Sequence, residues 1–237
     1  EGGWQDLYSA AQANLRKVRG DVPLPHLLNL VGIAGKTAYH GLLSVGQLRQ
    51  GDVLVVTAAA GSVGLLAGQI AKAIGCRVVG IAGGVRKCRW LVEAMKFDAA
   101  IDYKAESFPA DLRSACGEGV DVLFDNVGGA ICGAVLPLMN LRGRVVCCGA
   151  ISQYDGGPPA SPAGLPGILI AKRLRMEGFI VFDFEDRAAE AEDALLAWFA
   201  QGRIKVVEEV LEGLEAAPQG LIGLLGGENV GKRMVRV

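Results

Sequence analysis

The chain of 237 residues carries 24 Lys and Arg against 25 Asp and Glu, and 51% of it is hydrophobic. So apolar and evenly charged a sequence builds a buried core rather than a disordered coil, and its charge gives no reason to expect nucleic acid or an anionic membrane as partner. The length suits one large domain, or one and part of another.

The opening Glu1-Gly-Gly-Trp4 is neither basic nor followed by an apolar stretch, so no targeting segment is expected. Residues 1–28, with Trp4, Leu7, Tyr8, Pro23 and Pro25, read as the tail of one domain leading into the next. From Leu27 to Val45 the apolar residues predict one or two helices, with Leu30, Ile33, Tyr39, Leu42 and Leu43 packing on the domain that follows.

Val53 to Thr57 is a Val-rich run that predicts a strand buried on both faces. The small-residue turn Ala58-Ala-Ala-Gly61-Ser-Val-Gly64 follows, and then Leu65, Leu66, Gln69, Ile70 and Ala73 recur at helical spacing. A turn without bulky side chains lets the backbone N–H groups of Gly61, Ser62, Val63 and Gly64 approach a diphosphate, which the positive end of the helix dipole also attracts. Against the dinucleotide fingerprint G-x-G-x-x-G, Ala59 takes the first glycine's place and Gly61 and Gly64 the other two.

Three competing readings fail. The uncharged run 53–71 approaches the length of a membrane span, but Thr57, Ser62, Gln69 and three glycines interrupt it. Ala60-Gly-Ser62-Val-Gly64 imitates a hydrolase nucleophile elbow, yet His26 and His40 both precede Ser62, the wrong order for that fold. Residues 32–37 and 226–233 imitate P-loops, the first without its leading Gly and the second ending in Arg where Mg²⁺ needs a hydroxyl.

Beyond the turn, strands are predicted at Cys76–Ala82, Ala99–Tyr103, Val120–Val127, Gly143–Gly149 and Met176–Phe182. Helices are predicted at Val85–Lys96, Ala130–Met139, in a segment ending at Arg173 after the Pro/Gly-rich loop Asp155–Pro166, and at Asp186–Gln201. This alternation predicts an α/β fold with a doubly wound parallel Rossmann sheet. Val206–Val210, Ala216–Leu225 and Arg233–Val237 leave that pattern and read as a return to the other domain. The expected division is 1–28, a tail of a substrate domain, 29–202, the nucleotide-binding domain, and 203–237, the return segment.

A site for NAD places a carboxylate at the end of the second strand, where it binds the ribose 2′-OH. Here that strand ends Ile81-Ala-Gly83-Gly84, followed by Arg86, Lys87 and Arg89. Cations beside an acid-free, glycine-lined pocket suit the dianionic 2′-phosphate of NADP(H). The six cysteines form no C-x-x-C pair, which argues against a zinc ribbon or a disulfide framework and for a reducing, cytoplasmic compartment.

The sequence closely resembles the zinc-independent medium-chain dehydrogenase/reductases, specifically the NADP-dependent alkenal/one oxidoreductases that include prostaglandin and curcumin reductases. The resemblance rests on Gly3-Trp-Gln5, Thr37-Ala-Tyr39, the turn 58–64, Gly80-Ile-Ala-Gly-Gly84 with Lys87, Ile101-Asp-Tyr-Lys104 and Phe124-Asp-Asn-Val-Gly-Gly129. It continues through Cys148-Gly-Ala-Ile-Ser-Gln-Tyr154, Met176-Glu-Gly-Phe-Ile-Val181 and Gly227-Glu-Asn-Val-Gly-Lys232. It implies Lys87 at the 2′-phosphate, Tyr103 beside it, and Gly61 to Gly64 under the diphosphate. The rest of the cofactor would be lined by Asn126, by Cys148, Gly149, Ala150, Ile151, Ser152, Gln153 and Tyr154, by Phe179, Ile180 and Val181, and by Asn229. Only remnants of the family's barrel-like (GroES-like) substrate domain are present, and the stretch matching the zinc-dependent branch's ligand Cys, Gly32 to Tyr39, has none. No metal is therefore expected.

The activity so implied is reduction of the C=C bond of an α,β-unsaturated aldehyde or ketone by NADPH, with quinone reduction or a non-catalytic NADPH-binding module as alternatives. Tyr154 is the candidate catalytic donor to the carbonyl oxygen, because it follows the Gly149 turn. No Tyr-x-x-x-Lys pair occurs to support a short-chain reductase mechanism. The apolar run 178–182, if it edges the sheet, predicts a homodimer paired through that strand.

Overall fold

The computed structural model describes residues 3–5, 7–15, 17–154 and 162–237. Glu1, Gly2 and residues 155–161 of the expected Pro/Gly-rich loop lie outside the described residues. Among the described residues, the α-helices before the first strand are α1 (Leu24–Leu28) and α2 (Ile33–His40), and α2 runs on into a wider π turn at Gly41–Val45. Then come β1 (Val53–Val56), α3 (Ser62–Ile74), β2 (Arg77–Ala82), α4 (Val85–Glu93), β3 (Ala99–Asp102), α5 (Phe108–Cys116) and β4 (Val120–Asp125). The chain continues through α6 (Gly129–Val135), β5 (Met139–Cys147), α7 (Leu165–Lys172), β6 (Arg175–Gly178), α8 (Ala188–Ala200), β7 (Glu208–Glu212), α9 (Ala217–Leu225) and β8 (Lys232–Arg236).

The first six strands make one parallel sheet in the order β3-β2-β1-β4-β5-β6. The order reverses between β1 and β4, and ligands of such sheets bind at that switch, outside the carboxyl ends of the strands. Strand side chains alternate between two cores. Leu54, Val56, Val78, Val122, Phe124 and Val146 join the core under α2, α3 and α8, whereas Val55, Val79, Ile81, Leu123 and Val145 join that under α5 and α6. Burial on both faces is why these strands read as unbroken apolar runs.

The helix after the glycine turn behaves as its periodicity predicts. Leu65, Leu66, Gln69, Ile70 and Ala73 are buried, and Gly75, at φ 97, closes α3 in the left-handed conformation. On α8, Ala188, Ala191 and Leu195 face inward as expected. The carboxyl-terminal segment departs from the large sheet, as expected, and builds a small one: β7 and β8 pair in parallel, with α9 between them in sequence. Gly3, Trp4 and Gln5 line a groove of about 400 Å³ with Leu221, Leu224 and Met234 of this unit, so the two ends of the chain meet.

Four expectations are corrected. Between Tyr103 and Val120 no helix is predicted, yet α5 forms there, burying only Leu112 and Cys116. One turn of spacing between two buried residues is too little apolar signal to read. Strand β5 begins at Met139 rather than Gly143, and its pairing with β4 is irregular between Val120 and Val122. Ile33, the first residue of α2, is exposed while Leu30, Tyr39 and Leu42 are buried. Finally, β6 stops at Gly178 where β5 stops at Cys147, and the apolar Phe179–Phe182 does not continue the strand. The backbone instead turns into a 3₁₀ segment at Val181–Arg187, where the Asp183 carboxylate accepts from the Ile180 N–H.

Gly68 of α3 lies against the buried Phe97 ring, and a Cβ there would stand 2.0 Å from the ring's edge. Alanine's better helix propensity is worth about 1 kcal/mol, while overpacking costs about 1–3 kcal/mol. With so close a clash the second term wins, and Gly68→Ala is expected to lower stability by roughly 1–2 kcal/mol in urea unfolding.

Candidate cofactor cleft

The turn after β1 is tight for a reason the glycine pattern only partly conveys. The left-handed conformation falls on Ala58, at φ 49, while Gly61 has an ordinary extended backbone at φ −81. Ala59, in the first glycine's place, is fully buried with its N–H donated to Ile81 O. Gly64 is the residue that admits no side chain, because a Cβ would sit 2.4 Å from the Ala58 carbonyl oxygen. This approach brings the first turn of α3 directly over the strand end. The opening N–H groups of a helix have no intrahelical acceptors, so those of Ser62, Val63 and Gly64 gather at one point with the positive end of the dipole behind them.

The turn is braced by residues outside the strand-turn-helix unit. Ser62 Oγ donates to Asn29 Oδ1 at 3.0 Å, and the buried Asn29 in turn donates to Val207 O. Gly231 donates its N–H to Ala60 O at 2.8 Å, and Gly231 and Gly61 form an isolated parallel bridge. Asn29 escaped the sequence reading because nothing in the pattern marks a residue preceding α2 as a partner of the turn.

At the far end of β2, Gly84 faces open space while Gly83 is packed closely. A Cβ on Gly83 would meet the Tyr103 ring and the Lys104 stem at 3.0 and 3.1 Å, so these side chains and Gly83 share one corner. Lys104 Nζ lies 5.8 Å from the Tyr103 ring centre. Lys87 turns inward and donates to Gly227 O at 2.6 Å and Asn229 O at 2.7 Å, whereas Arg86 and Arg89 are exposed. Partial burial, and then the cations of Lys104 and Arg233, hold the Lys87 ammonium below the ordinary lysine pKa. One carboxylate does come near: Asp102 at the end of β3, which the linear sequence does not place here. Its Oδ1 accepts the backbone N–H groups of Gly84 and Lys104 and is engaged in shaping the corner.

At the switch point, Thr57, Asp125 and Asn126 tie the ends of β1 and β4 together. Thr57 Oγ donates to Asp125 Oδ1 and accepts from the Asn126 N–H, both at 2.8 Å, and the Asn126 side chain donates to Thr57 O. Asp125 also accepts from Val127 and Gly128, while its backbone oxygen accepts from Cys148 and Gly149. The 148–154 segment is thereby laid across the carboxyl edge: Ile151 N–H donates to Asn126 O and Ser152 N–H and Oγ to Val127 O. Cys148 is pushed up to about 12 by burial and then by Asp125, and Cys147 to about 11 by the same causes, so both thiols stay protonated near neutral pH. Tyr154 is 64% exposed, and its oxygen accepts the Ala150 N–H at 3.4 Å, leaving its own proton free to donate.

The structure thus brings Gly61, Ser62, Val63, Gly64, Asn126 and the segment from Cys148 to Tyr154 to one edge, and sets Lys87 and Tyr103 at the ends of α4 and β3. Asn229 is buried and donates to Gly231 O within its own loop. Phe179 packs inward, edge-on to Phe184, while Ile180 is exposed. A half-buried ammonium on the helix that follows the Gly83 corner, and a turn closed to any Cβ at Gly64, fit a dinucleotide that carries an extra phosphate.

A doubly wound sheet with this turn at its switch point defines a dinucleotide-binding domain. Residues 62–200 match the family described as "Zinc-binding dehydrogenase". The chain is 43% identical to the "NADPH-dependent curcumin reductase" of Escherichia coli (strain K12) over 99% of its length and 70% of that protein's. It is 40% identical to the "2-alkenal reductase (NADP(+)-dependent)" of Nicotiana tabacum, over 99% of this chain and 69% of that one. The crystal structure of CurA from Vibrio vulnificus in complex with NADPH is 44% identical and superposes with a TM-score of 0.87, covering 92% of this chain and 67% of that one. The chain belongs to this dehydrogenase family and, within it, to the NADP-dependent oxidoreductases related to curcumin and alkenal reductases. Among the described residues no group of three or more His, Cys, Asp and Glu side chains is placed to hold a metal ion.

Thr57→Val keeps the shape of the side chain but leaves the Asn126 N–H unpaired and removes a donor from Asp125. Leaving buried polar groups unmet costs about 1–3 kcal/mol, and urea unfolding of the variant is expected to show a loss in that range.

Proposed function

We propose that this chain reduces the C=C bond of α,β-unsaturated aldehydes and ketones with NADPH. The observation that carries the cofactor half is the half-buried Lys87 ammonium on the helix after β2, beside a glycine corner whose one nearby carboxylate, Asp102, is taken by the backbone N–H groups of Gly84 and Lys104. The substrate half is supported by the relatives, whose names specify curcumin and 2-alkenals. When bound, the nicotinamide supplies a hydride for the β-carbon. What the chain itself must do is hold the dinucleotide in register, keep the carbonyl in place and meet the charge that develops on the carbonyl oxygen.

Each task has its residues. The N–H groups of Ser62 to Gly64 take the diphosphate, Lys87 takes the 2′-phosphate, and Tyr103 borders the same corner. Asn126, locked by Thr57, gives the switch point a fixed floor. Cys148, Gly149, Ala150, Ile151, Ser152 and Gln153 form the wall beside it, with Val181 and Ile180 on the neighbouring segment and Asn229 shaping the opposite loop. Tyr154 is the hydrogen-bond donor to the carbonyl oxygen, since its oxygen already accepts from Ala150 and its proton remains free. Residues 1–28 and the return segment 203–237, with its small sheet, are the parts of a substrate domain that this chain carries, and residues 29–202 are its cofactor domain. The six cysteines, all unpaired thiols, support a reducing, cytoplasmic setting. Among the described residues no helix is long and apolar enough to cross a membrane.

We also infer a homodimer. β6 is the last strand of the sheet, and Ile180 and Phe182 beside it are 62% and 66% exposed. An open parallel-sheet edge with apolar neighbours is stabilised by pairing with its own copy across a twofold axis.

Two measurements test these readings. NADPH oxidation should be rapid with an enone, and Tyr154→Phe should lower turnover roughly tenfold or more while sparing NADPH affinity. Oxidation with a quinone alone, or binding without turnover, would replace the enone reading. Light scattering at micromolar concentration should give the mass of a dimer, and a monomeric mass would overturn the pairing of β6.

A further inference from the structure

The Lys87 ammonium has three donors, and two are spent on the carbonyl oxygens of Gly227 and Asn229. Those carbonyls belong to the loop 226–231, between α9 and β8, whose residues 226–228 are exposed. The loop has glycines in the left-handed conformation near each end, Gly227 at φ 71 and Gly231 at φ 72. A Cβ on Gly231 would stand 2.3 Å from Val207 O, so this end of the loop is pressed against the chain entering β7. From Lys87 a continuous line of hydrogen bonds runs to the diphosphate turn. Lys87 Nζ holds Asn229 O, the Asn229 side chain donates to Gly231 O, and the Gly231 N–H donates to Ala60 O.

We propose that Lys87 is a positioning residue for the 226–231 loop as well as a phosphate ligand, so that an anion at the adenosine end tightens the loop that abuts the diphosphate turn. The third ammonium proton is the one left for a phosphate oxygen. Partial burial, and then the cations of Lys104 and Arg233, disfavour the charge on Lys87, and a dianion beside it offsets them and pins the ammonium where it also holds both carbonyls. NADPH and NADH would then differ in how firmly they fix the loop, beyond how tightly they bind. This second step rests on the cofactor reading above, whereas the fastening of the loop does not.

Hydrogen exchange of the full chain, read on the peptide spanning 226–231, separates the two steps. In the ligand-free protein, Lys87→Met is expected to speed exchange there about tenfold and leave β4 unchanged. Lys87→Gln, which keeps N–H donors for the carbonyls without the charge, is expected to hold the loop nearly as the parent does. At saturation, NADPH should slow exchange of the loop more than NADH in the parent, and that difference should vanish in both variants. Unchanged loop exchange in ligand-free Lys87→Met would overturn the fastening. Equal protection by the two cofactors in the parent would overturn the coupling. Absence of any NADPH binding would remove the cofactor reading and the coupling with it, while the ligand-free comparison would still decide the fastening.

Discussion

The whole cleft depends on one close approach. Because Gly64 has no side chain, the first turn of α3 rests on the Ala58 carbonyl with no space between helix and strand end. Any larger residue would lift the helix and scatter the N–H groups it presents. The strain of the turn is taken by Ala58 at φ 49, while Gly61 keeps an ordinary extended backbone. Phosphate binding as proposed for this turn is a matter of backbone placement, which tolerates Ala59 in a glycine's position because that position is buried and need not leave the ordinary conformations.

Rigidity comes from outside the local unit. Thr57 and Asp125 lock β1 to β4 at the point where strand order reverses, and Asp125 spreads the lock to the 127–128 turn and the 148–149 segment. On the other flank, Asn29 and Gly231 hold Ser62 and Ala60 from chain segments that belong to neither β1 nor α3. The small sheet is therefore joined to the phosphate turn through backbone contacts, and the adenosine corner is joined to the same sheet through Lys87. A dinucleotide held as proposed would touch parts that already touch one another.

Much of this was legible in the sequence where the physics is local. Val53–Thr57, the small turn and the spacing of Leu65, Leu66 and Ile70 encode a buried strand, a tight corner and a one-faced helix without tertiary help. The motifs from Gly80 to Gly84 and from Phe124 to Gly129 marked the strand ends that line the edge. What stayed hidden depends on contacts between distant residues. Thr57 and Asp125 are 68 positions apart, and either alone is an ordinary polar residue at a strand end. Arg86, Lys87 and Arg89 look alike in sequence, and only the rotation of α4 against the 226–231 loop selects Lys87 as the inward cation. Phe179–Phe182 has strand-like composition, but a strand needs a partner, and β5 offers none beyond Cys147.

The proposed function stands on an electrostatic preference beside the Gly83 corner, where the Lys87 ammonium would meet a phosphate and no unengaged carboxylate would compete for a ribose hydroxyl. Calorimetric titration of the chain with NADPH and with NADH at the same ionic strength measures that preference directly. The expected result is NADPH bound about one to two orders of magnitude more tightly, the size of a charge-assisted phosphate contact. NADH bound as tightly as NADPH would contradict it.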